Sequence, residues 1–368
     1  MRWVRRVVLL PALFALASCS GKQNVFSPKG AVAEKINDLQ VPVFIAAGVV
    51  GVIVALMLVY VMVTGSRRAK SADIDDPVQI HGNTRLELMW TMIPFLILVA
   101  VAFPTVFTIL NISHRPAEAL KVDVYGQQWW WSYEYDVNND GTPDIVTAND
   151  LVLPAHRKVE LRIHSRDVIH SFWIPALAGT RDAVPGRTQY LEIETNNAGE
   201  FDGQCKEFCG LSHANMRARA IVLSQSDYDN WVSDQQQAAT TPAAGSDAAA
   251  GLDVFKTKCS SCHQIDGVDK VEGQAALVAG HAPNLTHLMS RDVFASASFP
   301  LYVTDVNGQK VFNRNQLEAW LRDPPGQLPM APDERRGMPN LHLSDTDIDQ
   351  LVAYLQTLGP YPQGVTPP

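Results

Sequence analysis

The chain has 368 residues, enough for several domains, so no single core has to account for all of it. A formal net charge of −8 and an isoelectric point near 5.7 exclude a nucleic-acid partner, because neutralising phosphates takes a clustered basic face. The 46% of hydrophobic residues is ordinary, but they gather before residue 110 or so, and the rest reads as soluble sequence.

At the N-terminus, Arg2, Arg5 and Arg6 precede an apolar run from Val7 to Leu16 and then Ala17-Ser18-Cys19. A basic start, a short apolar stretch and small residues at the exit predict a secretory signal over 1–18, too short to span a bilayer. The Leu-Ala-Ser-Cys ending is similar to a bacterial lipoprotein box, which makes Cys19 the expected lipidated first residue of the processed chain; a plain signal peptide is the alternative. From Val41 to Val63 there is no charge, and a second uncharged run from Leu88 to Leu110 contains Pro94 and Pro104. At about 1.5 Å per residue each run crosses a hydrocarbon core of about 30 Å, so a transmembrane hairpin is expected over 40–112. Arg67, Arg68, Lys70 and Arg85 lie between the runs. The positive-inside rule puts that loop in the cytoplasm and everything from about residue 114 outside.

The exterior part predicts two domains. Over 118–228 the chain alternates as half-buried strands do: Val159, Leu161 and Ile163 with Lys158, Glu160 and Arg162, and Leu191 and Ile193 with Glu192 and Glu194. Asn139-Asp140-Gly141 and Pro185-Gly186 are turn signals between runs. A compact all-β sandwich or barrel is expected. Residues 235–251 lack aromatics and carry a single charge, which predicts a flexible linker. A small all-α domain follows over 252–360. It closes with a helix capped by Ser344, with Asp347 three residues on and Ile348, Leu351, Leu355 and Leu358 along one face.

The segment Cys205-Lys206-Glu207-Phe208-Cys209-Gly210-Leu211-Ser212-His213-Ala214-Asn215-Met216 holds two thiols, an imidazole and a thioether. This soft ligand set selects copper over hard cations, and a mononuclear blue-copper loop needs only one of the cysteines. Two cysteines fit two copper ions bridged by sulfur, with His170, at the end of an expected strand, as the remaining ligand. A structural zinc site and a Cys205–Cys209 disulfide are the alternatives.

The motif resembles that of cytochrome c oxidase subunit II, and the resemblance covers about residues 40 to 225. It implies a cupredoxin-like domain with a binuclear CuA site. Cys205 and Cys209 would bridge the coppers, His170 and His213 supply nitrogens, Met216 a weak axial sulfur and Glu207 its backbone carbonyl. The Glu207 side chain would face a magnesium ion shared with the catalytic subunit. Gly126-Gln127-Gln128-Trp129-Trp130-Trp131 is similar to the family's tryptophan-rich signature, which makes Trp129 the residue where electrons arrive; a plain aromatic core is the other reading. Glu87, at the cytoplasmic edge of the second apolar run, becomes the mouth of a proton pathway, or else it simply snorkels to water.

Cys259-Ser260-Ser261-Cys262-His263 is the attachment motif of a c-type haem, with His263 under the iron; a thioredoxin-like redox pair or a zinc site is the alternative. Methionine as sixth ligand raises the potential, and Gly337-Met338-Pro339 resembles the cytochrome c ligand loop, with Met330 as rival. His281 and His287 are expected to be surface or core-edge residues. The five cysteines are then one lipid anchor, two copper bridges and two haem thioethers. The fused order resembles caa-type haem-copper oxidases. That implies a bacterial inner-membrane subunit taking electrons from a soluble cytochrome c or another small donor, alongside a catalytic subunit I that reduces oxygen. A nitrous oxide reductase would need a histidine-rich cluster, a quinol oxidase subunit II would lack the copper ligands, and a free-standing tethered carrier would bind no oxidase.

Overall fold

The computed structural model describes residues 21–69, 81–116, 118–268, 282–334, 336–362 and 365. The signal peptide, Cys19 and His281 lie outside the described residues. The chain divides into a unit of residues 34–114 and a unit holding the rest.

The first unit is built from two helices, α1 (Ala31–Ala69) and α2 (Thr84–Ile112). Both overrun the uncharged runs that announce them, because the flanking polar residues continue the helical path. Asn83 caps α2, its side-chain oxygen accepting from the Arg85 and Leu86 amides at 3.1 and 3.3 Å. Leu56, Met57, Leu98 and Phe103 stand exposed, as side chains facing lipid must. Helices meet every backbone hydrogen bond internally, which is what hydrocarbon demands.

The second unit opens with an all-β cupredoxin-like sandwich. One sheet runs β3 (Ile145–Ala148), β2 (Trp130–Asp136), β1 (Leu120–Gln127), β5 (Val159–Ser165), β8 (Gln189–Ile193) in spatial order; another runs β4 (Asp150–Pro154), β10 (Arg217–Leu223), β9 (Gly199–Gln204). A short ribbon of β6 (His170–Phe172) and β7 (Arg181–Ala183) completes it. Val159, Leu161 and Ile163 face the core as their alternation predicts. Glu160, expected to face water, is buried; the Arg115 guanidinium compensates it through two hydrogen bonds of 2.8 and 3.0 Å. Trp131, Tyr133 and Tyr135 are fully buried on β2, Trp131 meeting Phe172 edge to face at 5.1 Å.

The C-terminal domain is helical, with α3 (Gln225–Gln235) leading into it and α4 (Asp247–Lys258), α5 (Arg314–Arg322), α6 (Pro324–Gln327) and α7 (Asp345–Leu355) forming it. Helices α4 and α7 cross so closely at Gly251 that a Cβ there would lie 1.9 Å from the Gln350 carbonyl oxygen. Phe255 and Tyr354 meet at a tilt beside the crossing, their ring centroids 5.8 Å apart. The capping box expected at Ser344 and Asp347 is present. Two small ribbons interrupt the helices, β11 (Val293–Phe294) with β12 (Phe299–Pro300) and β13 (Tyr302–Thr304) with β14 (Lys310–Phe312).

The flexible linker expected over 235–251 needs correction. Ser246 caps α4, so residues 247–251 are helical. Gln235 is buried, and the Ala239 amide donates to the Asp266 carbonyl at 2.9 Å. The composition hid this because small side chains and backbone groups, rather than large apolar ones, make the contacts.

Candidate metal centre

The loop between β9 and β10 carries Cys205 to Met216, and β6 opens with His170. The Cys205 amide donates to the Met216 carbonyl at 2.9 Å and the Lys206 amide to the Ser171 carbonyl at 3.0 Å, which holds the loop against β6. As a result the sulfur of Cys205 lies 3.9 Å from that of Cys209, far beyond the about 2.05 Å of a disulfide. His170 Nδ1 is 3.9 Å from Cys205 Sγ and His213 Nδ1 3.5 Å from Cys209 Sγ. Met216 Sδ is 3.8 Å from Cys209 Sγ, and Cys205 Sγ donates to the Glu207 carbonyl at 3.3 Å. The structure thus brings together all the donor groups expected from the sequence, with the Glu207 side chain exposed. Two thiols and a thioether, all buried, with two imidazole nitrogens turned toward them, suit a soft metal.

The electrostatics favour losing a thiol proton. Hydrogen bonding to Cys209, together with His170, lowers the Cys205 pKa against the opposing effect of burial, whereas the same contact and burial raise Cys209. Burial disfavours the charged form of His170, but its hydrogen bonds to Asp167 and Cys205 outweigh that and raise its pKa.

Two contributors were missed in the sequence. Asp167 Oδ1 pairs with His170 Nε2 at 2.8 Å. This fixes the ring so that Nδ1 faces the sulfurs. A carboxylate three residues before a ligand histidine is a weak signal, and it went unread. Gln128 Nε2 donates to the Cys209 carbonyl at 2.6 Å, and the Trp129 indole Nε1 donates to the same oxygen at 3.1 Å. Replacing Asp167 with asparagine is expected to weaken copper binding by about 10- to 100-fold, as loss of an outer hydrogen-bond partner does, measured by competition with a copper chelator.

In the C-terminal domain Cys259 and Cys262 are free thiols following α4. His263 Nδ1 pairs with the Pro283 carbonyl at 2.8 Å, which leaves Nε2 as the lone-pair nitrogen, and burial lowers its pKa. The neutral imidazole that an iron ligand requires is therefore favoured. Met330 and Met338 are neighbours: the Met338 amide donates to Met330 Sδ at 3.1 Å, and Met338 packs against the domain core. His287 is buried. Glu87 stands exposed in the first turn of α2.

The two halves of this unit touch. Ser296 donates to the Trp129 carbonyl, and Ser298 Oγ donates to the Asn215 carbonyl at 3.4 Å. Arg219 grips Asp150 through two bonds of 2.8 and 3.2 Å and reaches Asp292 at 3.4 Å. Asp292 in turn pairs with Lys310.

Residues 120–224 match the periplasmic domain of cytochrome c oxidase subunit II, residues 20–108 its transmembrane domain, and residues 248–359 cytochrome c. A cytochrome c oxidase subunit 2 from Alkalihalophilus pseudofirmus is 31% identical over 97% of this chain and 98% of its own length. One from Bacillus subtilis is 31% identical over 96% of this chain and 97% of its own length. The quinol oxidase subunit 2 of Bacillus subtilis is 32% identical over 63% of this chain and 72% of its own length. With relatives aligned nearly end to end and all three segments accounted for, the chain belongs to the cytochrome c oxidase subunit 2 family.

Proposed function

We propose that this chain is the electron-receiving subunit of a proton-pumping terminal oxidase, taking electrons from a soluble cytochrome c or similar small donor and handing them to a catalytic subunit I that reduces oxygen to water. The observation that carries this reading is a pair of buried sulfurs 3.9 Å apart, with an imidazole Nδ1 beside each and a thioether beside the second. A copper pair held there, and a haem c held in the C-terminal domain, would each store and release one electron.

Cys205, Cys209, His170 and His213 would hold the copper pair, with Met216 and the Glu207 carbonyl as weaker donors. Asp167 and Gln128 hold this shell in place, so that little has to move when the charge changes. Trp129 is where electrons arrive, a role supported by its indole bond to the Cys209 carbonyl and by Ser296 of the haem-bearing domain on its own carbonyl. Cys259 and Cys262 would attach the haem, and His263 and Met338 would hold its iron. Met330, its sulfur engaged by the Met338 amide, positions that ligand loop.

The exposed Phe208 and Leu211 flank Glu207 on the copper loop and offer an apolar contact for subunit I, where the Glu207 carboxylate holds a shared magnesium ion. Glu87 opens a proton pathway at the cytoplasmic side. The chain resides in the bacterial inner membrane, anchored by the hairpin over 40–112 and by a lipid on Cys19 exposed once residues 1–18 are removed. The copper domain over 118–228 and the haem domain up to residue 360 face the exterior.

Electron paramagnetic resonance of the copper-loaded chain, with haem reduced, tests the assignment. Hyperfine structure from two equivalent copper nuclei is the expected result; a mononuclear pattern, or zinc in place of copper, would sink it.

A further inference from the structure

The turn joining β2 to β3 carries chemistry that neither centre uses. It reads Asp136-Val137-Asn138-Asn139-Asp140-Gly141-Thr142-Pro143-Asp144, with an oxygen-bearing side chain at every second position and glycine at the sixth. In a 12-residue calcium loop, positions 1, 3 and 5 give side-chain oxygens, position 7 a carbonyl and position 9 a further oxygen, while the glycine at 6 makes the sharp turn. Gly141 adopts φ +94°, as such a turn requires.

Spacing alone would mean little, since Asp and Asn are common in turns for their own hydrogen bonding. Asp136 decides the matter. It ends β2 with only 2% of its surface exposed. Its Oδ2 accepts from the Gly141 amide at 3.2 Å, while Oδ1 is buried with no hydrogen-bond partner among the described residues. A buried carboxylate oxygen without a donor or counter-charge is costly. Among the described residues, none of Asp136, Asp140 and Asp144 forms an ion pair. Asn138 Nδ2 donates to both Asp140 Oδ2 and Asp144 Oδ1 at 3.2 Å, so these two carboxylates converge on a single point held by an amide donor.

We propose that this turn is a calcium site built from side-chain oxygens of Asp136, Asn138, Asp140 and Asp144 and the Thr142 carbonyl. The ion takes the place of the Asn138 amide donor, and the amide turns its oxygen inward. Carboxylates and a carbonyl on a pliant turn suit calcium, whereas magnesium demands a tight octahedron and keeps its water. Position 12 of the loop, a bidentate glutamate in the strongest sites, is here Thr147, whose hydroxyl accepts from Arg291 at 3.4 Å. The site is therefore weak, with a Kd of about 10⁻⁴–10⁻³ M as in extracellular calcium modules. Because Arg291 belongs to the haem-bearing domain, an ion bound here also braces the strand on which that domain rests.

The test is isothermal titration of the full detergent-solubilised chain, loaded with copper and haem in calcium-free buffer, with CaCl2 and separately with MgCl2. The expected result is one calcium per chain, a raised unfolding midpoint and at least about tenfold weaker binding of magnesium. Asp140→Ala, on the exposed tip, and Asp136→Asn, which preserves shape, are each expected to weaken calcium binding at least tenfold with copper and haem content unchanged. No binding by the parent chain up to about 10 mM calcium, ten times the weakest expected Kd, overturns the proposal. So does equal binding by Asp140→Ala, which would place the ion elsewhere.

Discussion

Cys209→Ser is expected to abolish the two-copper signal and to lower oxygen consumption by the assembled oxidase more than about 100-fold, beyond the loss caused by removing an outer-shell partner. Serine keeps the size of the side chain, so the loop between β9 and β10 retains its backbone bonds to Ser171 and Met216. The hydroxyl oxygen, however, is a hard donor that cannot stand in for a soft thiolate. The same variant should leave the haem reducible by an external donor, because Cys259, Cys262 and His263 lie in a separate helical domain. Metal analysis paired with stopped-flow reduction distinguishes the two effects. Unchanged copper stoichiometry, or oxygen uptake within a few-fold of the parent, would remove Cys209 from the centre.

Arg219→Met is expected to destabilise the copper domain by about 3–5 kcal/mol, the cost of leaving a buried charge without its partner. Asp150 and the Arg219 side chain are 5% and 10% exposed, and their bidentate pairing is the closest ion pair Arg219 makes in a cluster that extends to Glu200 and Asp292. Methionine fills much of the arginine volume, so the loss reflects electrostatics rather than a cavity. Asp292 lies beyond residue 247, so the substitution also loosens the haem-bearing domain and should speed proteolysis between residues 236 and 246. Lys310→Ala, at the exposed rim of the same cluster, is expected to cost no more than about 1 kcal/mol. Chemical denaturation of the two variants checks this; equal midpoints for parent and Arg219→Met would show that the cluster carries no stability.

The membrane hairpin was plain in the sequence because hydrocarbon permits few alternatives, and the uncharged runs around Val41–Val63 and Leu88–Leu110 leave little else to fold into. The candidate donor loop was legible for a related reason: all but one of the groups gathered at the centre sit within twelve residues, and only His170 had to be found elsewhere. What stayed hidden depends on contacts between residues far apart in sequence. Glu160 looks solvent-facing until Arg115, 45 residues away, is seen to cover it. Asp167 and Gln128 are ordinary residues whose importance comes from the fold that sets them against His170 and Cys209. The stretch from 235 to 251 misled because low complexity resembles freedom, yet its last residue, Gly251, is needed within α4 where two helices nearly touch.

The grip of Arg219 on Asp292, with Ser296 on Trp129 and Ser298 on Asn215, makes the relay a fixed junction and not a swinging arm. On the proposed reading, solvent viscosity then acts on one stage, the collision with a soluble donor. An internal hop would then need no domain to swing into place, so added sucrose is expected to leave its rate constant unaltered.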